Sequence, residues 1–98
     1  MNESKLAILR KHLDELDEHL VELLAERFKI TDQIGQYKSD HQLAPADPSR
    51  EQAHLQRIRQ LATKLGLNGE IAERVLRVIM QEVVKRHQAI QVENSQFL

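Results

Sequence analysis

The chain has 98 residues, 30% of them charged and 41% hydrophobic, with a formal net charge of −1, the composition of one small globular or coiled-coil domain. The balanced charge leaves no general pull toward nucleic acid or an acidic membrane, and the only aromatics, Phe28, Tyr37 and Phe97, do not make a base-stacking platform. There is no Cys, which excludes disulfides and thiol chemistry; no apolar run reaches membrane-spanning length and the charged start gives no signal-peptide core, so the cytoplasm is the expected compartment.

The first predicted element is a long helix from Ser4, a candidate N-cap, to Asp40. It carries Leu6, Leu9, Leu13, Leu16, Leu20 and Leu23, then Arg27, then Ile30, Ile34 and Tyr37 at alternating steps of three and four, the seam of a long packed helix. Only Gly35 interrupts it, at about 1 kcal/mol relative to Ala. His41 to Ala46 breaks the pattern, with Pro45 inside the break. Asp47 followed by Pro48 reads as an N-cap with proline at the first helical position, opening a second helix with Leu55, Ile58, Leu61, Ala62 and Leu65 on its apolar face. Gly66 ends it as a left-handed residue. Asn68 is the expected N-cap of a third helix, with Ile71, Val75, Leu76, Val78, Ile79, Met80, Val83 and Val84. From Val92 onward the period fades, so residues 1–92 read as the helical domain and 93–98 as a frayed tail. No strand pattern and no internal repeat is present.

These lengths constrain the architecture. A first helix of roughly 36 residues would span about 54 Å at 1.5 Å per residue, and a second about half as long cannot cover it together with the third. The uncovered leucine stripe predicts a second copy of the same chain. The fold expected is all-α, three helices, one long and two shorter, in an intertwined helical homodimer.

Several polar residues fall on or beside these apolar faces. Arg27 stands where an aliphatic residue belongs. A guanidinium stays charged at ordinary pH, so a buried one needs an anion, and none lies one turn away. Its bland alternative is to snorkel to water. Lys38 lies three turns further on, near the same side, and Arg10 comes close to it from the other direction. Arg50 and Glu51 open the second helix, Glu51 on its apolar stripe. His87 extends the stripe of Leu76, Met80 and Val83. Singly, each is ordinarily a surface residue, Lys38 and His87 as last-turn partners of the helix dipole. Together, four cations and a carboxylate near interior faces suggest a pocket for a small dianion.

The strings Leu9-Arg10, Leu16-Asp17-Glu18, Leu23-Leu24-Ala25-Glu26-Arg27, Ile34-Gly35-Gln36-Tyr37-Lys38 and Asp47-Pro48-Ser49-Arg50-Glu51 resemble, as a set, the all-helical (AroQ) class of chorismate mutase in its stand-alone bacterial form. The resemblance covers about residues 6–90. It implies a dimer with interlocked first helices and active sites shared between chains. It implies that Arg27 grips one substrate carboxylate, that Arg10 reaches the other across the dimer, and that Lys38 donates to the ether oxygen of the breaking bond. Arg50 would stand at the mouth, while Glu51 and the backbone near Asp47 hold the ring hydroxyl. Ile34 and Val83 fall at substrate-contacting positions, Val83 where many members carry a small polar residue. His87 takes the place of a Gln or Glu facing the ether oxygen.

The reaction so implied, a Claisen rearrangement of chorismate to prephenate, needs electrostatic and conformational stabilisation only, so no metal and no cofactor are expected, nor a nucleic-acid or membrane partner. No fused dehydratase, dehydrogenase or regulatory domain is expected in a chain of this length. The alternatives are an isochorismate–pyruvate lyase, a 4-amino-4-deoxychorismate mutase, and a non-catalytic helical dimerisation or regulatory module.

Overall fold

Turn chemistry decides where each helix stops. The computed structural model describes residues 2–95, and their regular structure is helical: α1 is Asn2–Asp40, α2 Pro48–Lys64 and α3 Gly69–Ser95. Ser4 is not the cap of α1, because the helix is already formed at Asn2 and nothing in Asn2-Glu3-Ser4 breaks it. At its other end the amide of Leu43 donates to the Lys38 carbonyl (2.8 Å) and that of Gln42 to Ser39 (3.2 Å). This pair of bonds is a Schellman closure, and it puts Gln42 at φ 56°, a left-handed conformation usually filled by Gly.

The Asp47 side chain accepts from the Arg50 amide at 3.1 Å, and Pro48 takes the first turn of α2, as the sequence predicts. Gly66, at φ 75°, closes α2 with a second Schellman pair, Leu67 N–H to the Ala62 carbonyl and Gly66 N–H to Thr63. Asn68 Oδ1 then accepts from the amides of Glu70 (2.8 Å) and Ile71 (3.4 Å), capping α3. That helix continues past Val92 to Ser95, further than its apolar period suggests, because Asn94 is tied by its side chain to Ser39 (2.8 Å). Phe97 and Leu98 lie outside the described residues.

The chain divides into two units, residues 1–31 and 32–98. In the first, Leu6, Leu9, Leu13, Leu16, Leu20 and Leu23 are all exposed, between 46% and 63%. In the second, α2 and α3 form an antiparallel hairpin, and Leu55, Ala62, Ala72 and Ile90 are buried, Ile90 beside Gly35 of α1. Arg59 of α2 pairs with Glu73 of α3 at 3.0 Å, and Glu73 also takes Arg77 at 3.4 Å. Among the described residues no helix is long and apolar enough to cross a membrane.

Candidate active site

The side chains His87, Gln91 and Asn94 recur at steps of four and three, so they project from one face of α3. All three hold the end of α1 or the segment that follows it. Gln91 Nε2 donates to the Leu43 carbonyl (2.8 Å), Asn94 Nδ2 to Ser39 Oγ (2.8 Å), and His87 Nδ1 lies 3.4 Å from the Pro45 carbonyl. Lys38 Nζ donates to the same Pro45 carbonyl at 3.3 Å. The two residues therefore meet at one oxygen.

His87 is buried, 2% exposed. The alternative that makes it a water-facing residue of a last helical turn is corrected here, since α3 runs on past it to Ser95 and its ring packs on Gly35. A Cβ built on Gly35 would lie 2.5 Å from His87 Cδ2 and 3.0 Å from Ile90 Cδ1. Gly35 thus permits a close approach of α1 and α3, a role the sequence signals only by placing a glycine inside a helix. Gln91, Asn94, Ser39 and Pro45 escaped the sequence reading; the polar spacing of the first two was the available signal.

The other candidates within residues 32–98 are spread along this unit. Ile34 is exposed. Asp47 spends its side chain on the cap, with its carbonyl taking the Glu51 amide at 3.0 Å. Arg50 is exposed beside it; Glu51 is half-buried. Glu51 lines a groove of about 710 Å³ between α2 and α3, with Leu55, Met80 and Val84, while Arg77 and Lys85 add cations. Val83 is half-buried. In residues 1–31, Arg10 is exposed and Arg27 half-buried, with its Nη1 out of solvent and without a hydrogen-bond partner. Snorkelling to water does not describe that nitrogen. Among the described residues neither Arg27 nor Lys38 has an ion-pair partner.

Each of these half-buried cations, Arg27 in residues 1–31 and Lys38 in residues 32–98, is by itself open to an anion. The model of the family described as chorismate mutase type II matches residues 9–88. The chain belongs to that family. Every candidate residue from Arg10 to His87 lies inside the match, and membership agrees with the all-α, three-helix expectation. The T-protein of Haemophilus influenzae is 40% identical over 74 residues, 76% of this chain and 20% of that protein. The bifunctional chorismate mutase/prephenate dehydratase of Buchnera aphidicola is 32% identical over 81 residues, 83% of this chain and 21% of that protein. This chain thus spans about a fifth of the length of each. The chorismate mutase of Methanocaldococcus jannaschii is 29% identical over 77 residues, 79% of this chain and 78% of that protein.

Proposed function

We propose that this chain catalyses the Claisen rearrangement of chorismate to prephenate, as a homodimer with shared active sites. The observation that carries the reading is Arg27 Nη1, out of solvent with no partner, in a chain of this family. An unsatisfied guanidinium nitrogen costs the fold stability, and a substrate carboxylate satisfies it with a charge-assisted, bidentate bond.

In the reaction the ether C–O bond to the ring breaks as a C–C bond forms between the enolpyruvyl methylene and the ring carbon bearing the carboxylate. No atom is gained or lost and no proton must move. The protein's work is to hold the enolpyruvyl group over the ring and to stabilise negative charge growing on the ether oxygen. In this proposal Arg27 and the partner chain's copy of Arg10 fix the two carboxylates. Lys38, whose ammonium among the described residues meets a neutral carbonyl and no carboxylate, donates to the ether oxygen, and His87 stands at that end of the site. Glu51 and the Asp47 backbone receive the ring hydroxyl, Arg50 guards the mouth, and Ile34 and Val83 supply apolar wall. The exposed leucine stripe of α1 supports the dimer, since an apolar face of that length is unstable in water. A cytoplasmic place belongs to the same proposal, because a dianionic substrate does not cross a bilayer unaided.

The test is turnover of chorismate by the purified protein, followed as the conjugated ring diene is consumed. Prephenate as product upholds the reading. Pyruvate released from isochorismate, with chorismate inert, would replace it by the lyase, and turnover of 4-amino-4-deoxychorismate alone by the amino-substrate mutase; inertness toward all three would leave a helical interaction module.

A further inference from the structure

The Pro45 carbonyl is the meeting point of three separate stretches of the chain. Lys38 reaches it from the last turn of α1 and His87 from the middle of α3, at 3.3 and 3.4 Å. A carbonyl oxygen has two lone pairs and can accept both. The segment carrying it is tied at two further points: the Leu43 amide to the Lys38 carbonyl, and Gln91 to the Leu43 carbonyl, both 2.8 Å.

A carbonyl only accepts, so this contact is a hydrogen bond in the tautomer that carries the proton on Nδ1 of His87, the one adopted in this proposal. In the neutral imidazole that tautomer leaves Nε2 an acceptor. In that neutral tautomer the ring has no second N–H to give to an ether oxygen. It does fix an oxygen to which the Lys38 ammonium is bonded. A lysine side chain has four flexible bonds and loses much rotamer freedom when held, so a fixed acceptor close to its tip preorganises it.

The room for the ring is supplied by Gly35, where a Cβ would lie 2.5 Å from Cδ2 and 3.0 Å from Nε2 of His87. The ring is buried and packed beside Ile90, so it has little freedom to yield. The helix accepts the cost of an interior glycine, about 1 kcal/mol relative to Ala, at the position where a methyl group would displace the imidazole.

We propose that His87 is a positioning residue: seated against Gly35, it fixes the Pro45 carbonyl and thereby sets the place of the Lys38 ammonium. The proposal rests on the role given to Lys38 above. It differs from the sequence expectation for His87, direct donation to the substrate, in what the side chain touches during the reaction.

The experiment pairs kinetics with the carbonyl ¹³C resonance of Pro45, read through the amide of Ala46, in the wild type, His87→Gln, His87→Ala, Gly35→Ala and Lys38→Met. Helix content and dimer mass are checked for each. His87→Ala is expected to move the Pro45 resonance and to lower kcat about ten- to a hundredfold, the scale of a displaced catalytic group, with KM changed much less. His87→Gln, which can donate through its amide, is expected to restore both the resonance and kcat, with a pH profile shaped like that of the wild type. Gly35→Ala is expected to lower kcat alone but to add nothing in the His87→Ala background. A Pro45 resonance indifferent to His87→Ala would overturn the proposal, and so would a wild-type pH limb that vanishes in His87→Gln, which marks direct hydrogen-bond donation from the imidazole to the substrate. An inert wild type would overturn the functional reading instead. The resonance still decides the shared carbonyl: a response to both His87→Ala and Lys38→Met upholds it, and a response to neither ends it.

Discussion

Residues 1–31 and residues 32–98 both carry amphipathic helix, the first rich in Leu and Glu and the second in Gln and Leu, yet they hold their structure differently. The first presents an unbroken leucine stripe to solvent. The second buries Leu55, Ala62, Ala72 and Ile90 between its own elements and ties its connecting segment with side-chain bonds from α3. The difference teaches that one half specifies its own packing while the other leaves its apolar stripe uncovered. It also separates the candidate site residues: Arg10 and Arg27 lie in the first region, Lys38 and His87 in the second.

The harshest way to break this comparison is to place a charge in each region. Leu20→Asp, at the centre of the stripe, is expected to abolish the dimer and with it most helix content, because a carboxylate cannot be buried unpaired. Leu65→Asp, at a position 74% exposed at the end of α2, is expected to change stability by no more than about 0.5 kcal/mol. Sedimentation and circular dichroism of both variants check this, and a compact, helical Leu20→Asp monomer would refute the partner requirement.

Arg27→Ala is the next largest. It is expected to lower kcat/KM by a factor of about 10² to 10³, the loss of a desolvated charge-assisted pair, while the melting temperature stays level or rises, since an unsatisfied nitrogen is removed. Near-native turnover would make Arg27 structural. Mixing this variant with Arg10→Ala sharpens the result. If each site takes one arginine from each chain, the heterodimer holds one intact site and activity partly returns; no recovery with heterodimers confirmed would put both arginines in one chain's site.

For the self-packed region, Leu55→Ala is expected to cost about 2–5 kcal/mol, a transfer term plus a cavity, measured by urea denaturation. The smallest effect concerns the end of α1. Gln42→Gly relieves a left-handed conformation at φ 56° and is expected to stabilise the protein by up to about 1 kcal/mol; a loss of stability would mean that the Gln42 side chain contributes more than its backbone costs.

Helix limits were legible wherever a local signal existed. Asp47-Pro48, Gly66 and Asn68 act as read, because caps and left-handed stops depend on residues three or four apart. The stop after α1 was legible as a break, but not as a Schellman closure with glutamine at the left-handed position, which propensity disfavours. The last described turn of α3, to Ser95, was not legible from an apolar period; it carries the bond of Asn94 to Ser39. At the candidate site, Arg27 was conspicuous as a cation inside a leucine stripe, and its Nη1 lies out of solvent without a hydrogen-bond partner. His87 was found as a position, but its burial against Gly35 and its turn toward Pro45 were not.

By itself, then, the sequence determined the three helices, the turns between them and the misplaced cation, since each follows from bonds and periodicities within a few residues of chain. Only the tertiary structure decided that Lys38 and His87 share one acceptor. Every residue carries a carbonyl, so nothing in composition or spacing marks the one at Pro45; it acquires two donors only when the end of α1, the turn and α3 are brought together.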